Sequence, residues 1–550
     1  MAPHNLDAAL TLWRARLGSD RVLGAAEAEQ RYGPCTTGQG RAIAAALRIQ
    51  DSAEVCAALE IARRHRVPLY PISTGNNWGY GSASPVRDGC VILDLSGMKR
   101  IVEMDSELGL VTLEPGVTQG ELRDYLDRNA PHFMVPTTGA GPNCSLVGNA
   151  LERGYGITPY ADHFGAVTAL EAVLADGRLY RSALTELDAQ TVDRMFKWGI
   201  GPYLDGLFAQ GNLGIVTQMT IALAPRPERI EAFFFGVAED AKLEAAVSAV
   251  QGILRSAGGT VGSINLMNAR RVLAMTVPYP TDRVGSDGIL PQNVVLDLAR
   301  RHQVRAWMGV GALYGSREVV AAARRIVRRL LKPVADRIVF ITPKRSALLR
   351  RLFRSVPGLK GSRTARLVGA VDKSLGLIAG VPGEVALPLA YWRTGDSVPE
   401  CSLNPARDGC GLMWYPPLVP MKPAMVRSYV DMVNEVCSAH GIEPLITLTS
   451  LTGRCFDSSV PLLFDRGDPA QVARAAACFD ALFAAGKRRG FLPYRLGIHA
   501  MSRVTNTPCT FWDLVGTIKS AVDPDDIIAP GRYAPMAGSL GDRSSREDGK

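Results

Sequence analysis

The segment "PISTGNNWGYGSASP", residues 71–85, sets Ser73, Thr74, Asn76 and Asn77 around Gly75, with Gly79 and Gly81 close behind. Hydroxyls and side-chain amides at this spacing donate hydrogen bonds, and glycine lets a backbone approach a ligand closely. Consecutive N–H groups in such a turn form an anion cradle. A plain tight turn has the same composition, and this loop alone does not separate the two. A second glycine-rich segment, "TTGAGPNCSLVGNALERGYGITPYADHFGAV", covers 137–167, and a third, "FKWGIGPYLDGLFAQGNLGIVTQM", covers 196–219. Together they suit a large ligand with a pyrophosphate and a flat ring. The first loop has no GxGxxG, leads into a strand and lacks an acidic residue at the expected distance. It is therefore not a dinucleotide fingerprint.

The flanking elements must hold these loops. "VPLYPIS" and "CVILDLSGM" read as strands on either side of the first loop. "GLVTLEPGVTQGELRDYLDRN" reads as strand, turn and helix, with Thr118 as N-cap of a helix starting near Glu121. "ALEAVLADGRLYRS" reads as a hairpin turning at Asp176 and Gly177. From about Glu228 strands alternate with longer helices: "IEAFFFGVA", then "KLEAAVSAVQGILRSAGG", a helix ended by glycine, and later "PAMVRSYVDMVNEVCSAHG". The expectation is an α+β protein. Residues 1–225 form one domain, 226–490 a second, 491–536 a structured return and 537–550 a disordered polar tail.

Bulk composition narrows the classes. A chain of 550 residues with 47% apolar and 21% charged residues is an ordinary globular balance. No apolar run is long enough for a membrane span. The amino end reads as an amphipathic helix after Asn5 or Asp7, without the features of a secretory signal, so the expected location is cytoplasmic. Ten cysteines without a CxxC pair argue for reduced thiols, and seven histidines without ligand spacing argue against a metal site. The net charge is +9, with much of the excess between Arg317 and Lys373. A solvated helix face explains that run; an acidic protein, nucleic acid or a membrane surface are the sharper alternatives. No nucleic-acid motif accompanies it.

The motifs "STGNNWGYG", "LEPGVT", "VGNALERGYGITPYADHF", "FKWGIGPYLDGLFAQGNLGIVT", "LIAGVPGEVALPLAYWR", "GLMWYPP", "PYRLGI" and "AVDPDDIIAPGRY" occur in this order across nearly the whole chain. In them the sequence resembles the vanillyl-alcohol oxidase and p-cresol methylhydroxylase group of FAD enzymes. The resemblance implies a two-part FAD-binding domain, of the p-cresol methylhydroxylase type, built from the amino-terminal half and the carboxyl end. An α+β cap domain covers the flavin ring.

It implies oxidation of a para-substituted phenol, by loss of hydride from the side-chain carbon and formation of a quinone methide. Phenols ionise near pH ~10, so the site must stabilise a phenolate. Tyr80, Tyr494 and Arg495 occupy the family's phenolate-binding positions. The flavin would be held by Ser73, Thr74, Gly75, Asn76 and Asn77, by Ser145, Gly148, Asn149 and Glu152, and by Ile215. For Glu152 a local salt bridge with Arg153 is the alternative. His163 lies in a family motif, but a structural histidine fits it better.

The departures carry expectations of their own. The family's tethering histidine falls here on Gly411 or Leu412, and "ECSLNPARDGC" upstream has no tyrosine or histidine, so FAD is expected to be non-covalent. Cys401 and Cys410 are the nearby nucleophiles and read as inert. The oxidase branch's aspartate near the flavin is missing from "VPTTGAGPNCSLVGN", and Ile157 stands where a pocket tyrosine belongs. A histidine pair of the cap is replaced by "RCFDSSVP", which makes Asp457 a candidate acid/base. Oxygen or a redox protein would accept the electrons, and a homodimer is in keeping with the family. Two alternatives remain: an FAD enzyme for 2-hydroxy acids or aldonolactones, with Arg495 on a carboxylate, and a non-catalytic flavin- or partner-binding protein.

Overall fold

A computed structural model describes residues 5–355, 363–394, 398–400 and 402–535. Cys401 and the tail 537–550 lie outside the described residues.

Three large sheets and a two-stranded ribbon, Phe133–Met134 with Ala224–Pro225, carry the described residues. The first has four strands in the order Val22–Leu23, Ile43–Arg48, Cys90–Asp94 and Leu69–Ile72. Its last three strands run parallel. The crossover helix Ser52–His65 joins two of them. Asp51 starts it by accepting from the Glu54 N–H, and Arg66 ends it in the left-handed conformation. Cys90–Asp94 is buried at every residue, as an inner parallel strand covered on both faces must be. The glycine-rich loop leaves the carboxyl end of Leu69–Ile72, where parallel sheets present ligands.

The second sheet is antiparallel, in the order Ile101–Asp105, Leu110–Leu113, Gly214–Ala222, Val167–Leu174 and Leu179–Arg181. Thr118 caps the helix Gln119–Asn129 in a full capping box with Glu121, so the helix begins two residues before the expected start. The hairpin at 176–177 turns through Gly177 at φ 88. Strands here outnumber helices because two hairpin-like returns replace crossover connections.

The third sheet has eight strands. Seven run in the order Arg337–Ile341, Arg229–Val237, Trp307–Gly315, Asn265–Asn268, Thr447–Ser450, Cys455–Asp465 and Cys410–Tyr415, and Leu418–Pro420 pairs with Cys455–Asp465 off this path. Its alternating residues divide the labour. Phe233, Phe235, Trp307, Leu448, Phe456, Val460 and Tyr415 point into a core closed by helices Leu243–Ser256, Arg317–Leu331, Pro423–Ala439 and Pro469–Arg489. The first of these helices stops at Ser256 with Ala257 as C-cap, and the expected glycines follow it. The other face carries Asn265, Thr449, Asp457 and Trp414, and turns toward the glycine-rich loop.

The carboxyl segment closes the structure. Leu69 donates to the Ile527 carbonyl at 2.8 Å and accepts from the Ala529 N–H at 2.7 Å. Ile527, Ile528 and Ala529 enter the amino-terminal core. Buried Lys519 fixes this return by donating to Asp523 at 2.5 Å and to the Asn212 and Ile528 carbonyls at 2.9 Å.

Among the described residues of the basic run, part of the charge is internally matched. Arg324 and Arg328 lie over Phe340 at 4.6 and 5.5 Å, and Arg324 pairs with buried Glu231. No described helix is long and apolar enough to cross a membrane.

Candidate active site

The loop after Ile72 is cross-braced before any ligand arrives. The Asn76 amide donates to the Asn143 carbonyl at 3.0 Å, and the Ser145 N–H donates to the Thr74 hydroxyl at 3.2 Å. Among the described residues the N–H groups of Thr74, Gly75, Asn76 and Asn77 find no backbone acceptor, and these four residues stay half-buried. Gly75 takes φ +69. At Gly148 a β-carbon would sit 2.2 Å from the Ser73 hydroxyl. Unclaimed donors beside glycines that let backbone and side chains come close together are what a pyrophosphate-bearing cofactor needs. Ser73, Thr74, Gly75, Asn76, Asn77 and Gly148 therefore fit FAD.

Other residues expected in this cradle also make contacts within the protein. The Ser145 hydroxyl is committed internally, donating to the Pro115 carbonyl at 2.6 Å and accepting from Gly148 at 2.9 Å. The Asn149 amide faces His163 Nδ1 at 2.6 Å, and burial lowers that imidazole to about 4, so it is neutral. Asn149 thus fixes the His163 ring, whose Nε2 has no hydrogen-bond partner among the described residues. The Ile215 side chain is buried in the amino-terminal core, opposite Val173 on the neighbouring strand. Glu152 pairs with Arg495 and Arg532, not with exposed Arg153.

Tyr80 is fixed from both sides. Gly79 donates to the Thr36 hydroxyl at 2.7 Å and accepts from Trp414 N–H at 3.2 Å, while the Tyr80 carbonyl accepts from Ile498 N–H at 2.9 Å. A β-carbon at Gly79 would meet Trp414 at 2.1 Å, so the loop and the third sheet can touch only through glycine. Tyr494 is held by its N–H on the Pro416 carbonyl at 3.2 Å and by Gln210 on its own carbonyl at 3.1 Å. Tyr155 packs edge-on against its ring at 5.6 Å.

Arg495 joins these parts. Its guanidinium lies 4.2 Å from the centre of the Tyr80 ring, donates to Asn77 Oδ1 at 2.5 Å and sits 3.2 Å from the Glu152 carboxylate. Glu152 is shared with Arg532, which also donates to the Tyr70 hydroxyl at 3.2 Å. Burial alone would raise the Glu152 carboxyl; the two guanidiniums, Arg532 first, hold it below the usual carboxylate range. Burial pushes the Tyr80 and Tyr494 hydroxyls up, and Arg495 only partly offsets it. Both remain protonated donors at neutral pH.

Asp457 completes the group from the third sheet, where it pairs with Thr449 and Leu418. It is 6% exposed and one carboxylate oxygen has no hydrogen-bond partner. Burial raises it to about 7, with Arg495 and the Ser459 hydroxyl opposing. The folded protein thus binds this proton more tightly than the unfolded chain, whose aspartates titrate near ~3.9. The stabilisation is complete below that value and is lost as pH rises through about 7. Asp457→Asn is expected to flatten the fall in urea midpoint over this window. An unchanged pH profile of both midpoint and turnover would remove Asp457 from the site.

Sequence spacing did not reveal Arg532, Tyr70, Gln210 or Trp414 as partners of these groups. Arg532 and Trp414 do lie in quoted motifs, "AVDPDDIIAPGRY" and "GLMWYPP".

A half-parallel, half-antiparallel scaffold with a phosphate cradle, roofed by a separate sheet that brings polar groups to the same place, defines an FAD-dependent oxidoreductase. The FAD binding domain family model matches residues 43–183. The chain is 37% identical to the 1'-carboxy-chondrochloren decarboxylase of Chondromyces crocatus, covering 96% of this chain and 97% of that one. It is 30% identical to the 4-cresol dehydrogenase [hydroxylating] flavoprotein subunit of Pseudomonas putida, covering 95% and 94%. The crystal structure of p-cresol methylhydroxylase with substrate bound superposes with a TM-score of 0.85 at 28% identity, over 96% and 97% of the two chains. The chain belongs to the vanillyl-alcohol oxidase and p-cresol methylhydroxylase family of FAD-dependent oxidoreductases.

Proposed function

We propose that the chain oxidises a para-substituted phenol at the side-chain carbon next to the ring. The observation that carries this reading is the convergence of Arg495 with two protonated tyrosines, Tyr80 and Tyr494, beside the flavin loop. Two hydroxyl donors and a fixed positive charge stabilise a phenolate in a site of low dielectric. The phenolate pushes electron density through the ring and weakens a C–H bond at the side chain. FAD, when bound, accepts that hydride. A quinone methide remains, and Asp457, raised to about 7 by burial, would exchange the proton of the group that adds to it.

In this reading residues 1–225 and 491–536 hold FAD and residues 226–490 cover it. Oxygen or a redox protein takes the electrons onward. Because buried Gly411 and Leu412 occupy the tethering position, FAD is held non-covalently. Acid precipitation is expected to leave a colourless pellet under a yellow supernatant; a yellow pellet would show a tether. Anaerobic titration with 4-ethylphenol is expected to bleach the flavin, whereas D-lactate leaves it oxidised. The reverse result would support the hydroxy-acid reading.

A second reading is favoured by the relative at 37% identity, whose name is that of a decarboxylase. If the next side-chain carbon bears a carboxylate, the quinone methide can expel CO2. The electron pair of the broken C–C bond then restores the phenolate and leaves a vinyl group. Release of CO2 with formation of the alkene distinguishes this outcome from alcohol or aldehyde formation.

A further inference from the structure

Arg271 is a buried cation without a counter-ion. It is 9% exposed, its Nε donates to the Thr447 hydroxyl at 3.1 Å, and its Nη1 has no hydrogen-bond partner. No carboxylate pairs with it among the described residues, and burial lowers it only to about 10, so it stays charged. Its neighbour shows the contrast: Arg270 sits 2.5 Å from the Glu443 carboxylate. An unpaired buried charge is among the costliest features a fold can keep, and asks for a ligand.

The place of Arg271 says what the ligand is. Thr447, its anchor, pairs with Ser459 and Met267; one rung along, Thr449 pairs with Asp457 and Asn265. Directly paired residues share a face and alternate residues return to it, so Arg271 reaches the face of the third sheet that carries Asp457. The opposite face is solidly buried, whereas on this one Asn265, Met267, Met308, Thr449, Ser459 and Trp414 are all only half-buried. The Asn265 Oδ1 is also unpartnered. Two rungs on one face lie about 7 Å apart, so the Arg271 anchor Thr447 and the Asp457 rung are neighbours on the same face of the sheet.

We propose that Arg271 anchors a carboxylate carried on the para side chain of the substrate, which makes the substrate class 4-hydroxyphenyl alkanoic acids. The inference rests on the phenol reading for the other end of the molecule. One end meets Arg495, Tyr80 and Tyr494, and the other meets Arg271, so the side chain is stretched beneath the cap.

The test uses the FAD-loaded protein and three probes: 3-(4-hydroxyphenyl)propanoate, 4-propylphenol and 3-phenylpropanoate, which lacks the phenol. Binding is read from perturbation of the flavin spectrum and reduction from its bleaching. The wild type is expected to bind both acids, and to need at least tenfold less of the hydroxyphenyl acid than of 4-propylphenol for half-reduction. Arg271→Met is expected to weaken both acids by about 30-fold or more, since one partner of a buried charge pair is lost, and Arg271→Lys to recover part of this. Equal losses for the acid and for 4-propylphenol would assign Arg271 a structural role and overturn the proposal. So would a wild type indifferent to the carboxylate, a result that needs no variant to fold. If neither phenol bleaches the flavin but 3-phenylpropanoate binds in an Arg271-dependent way, the phenol reading fails and the anchor stands.

Discussion

Arg495→Met is expected to lower kcat/KM for 4-ethylphenol by about a hundred- to a thousandfold, the loss seen when one preorganised oxyanion donor is removed. The basis is that among the described residues no other cation contacts Tyr80 and Asn77 together: the guanidinium spans the Tyr80 ring, Asn77 and Glu152. Methionine keeps the stem's packing and removes the charge. Lysine restores charge but not a planar fork, and is expected to recover only part of the rate. Anaerobic stopped-flow bleaching measures the step directly. A methionine variant within tenfold of the wild type, with its flavin retained, would place phenolate stabilisation elsewhere.

The second large effect is on stability. Glu152 is the shared counter-ion of Arg495 and Arg532, which lie with it in a buried cluster. Glu152→Ala leaves two guanidiniums facing each other without a carboxylate. Breaking a buried ion pair by removing one partner costs about 3–5 kcal/mol. The variant is expected to unfold at markedly lower urea and to lose FAD during gel filtration. Exposed Arg153 beside it is a control, expected to change stability by less than about 0.5 kcal/mol when replaced by alanine.

How far the sequence reveals this site depends on the range of each contact. Thr118 with Glu121, the turn at Gly177 and the left-handed Gly75 are encoded within a few residues, and the pattern of hydroxyls, amides and glycines shows them. The partners of Glu152 are not encoded this way. Arg532 lies 380 residues from it, and only the assembled fold decides that Arg153 turns to the Ala209 carbonyl while two distant arginines take the carboxylate. Ser145 shows a subtler limit. Its type and position suit a cofactor donor, but the Pro115 carbonyl claims its hydrogen first. Ile215 is a buried strand residue whose motif membership says nothing about which way its side chain points. The family motifs identified the fold and FAD because they span the whole chain. Arg271 lies outside every quoted motif, and a basic residue on an amphipathic helix carries no mark of being buried.

The strand Leu69–Ile72 that launches the flavin loop is completed at its edge by Ile528, and Arg532 reaches Tyr70 across 462 residues of sequence. A nascent chain therefore emerges with the edge of this strand open until residue 529 has left the ribosome. Contacts of such separation form late and slowly. A translation product halted before residue 528 is therefore expected to bind flavin poorly, because the strand that launches the loop lacks its edge partner.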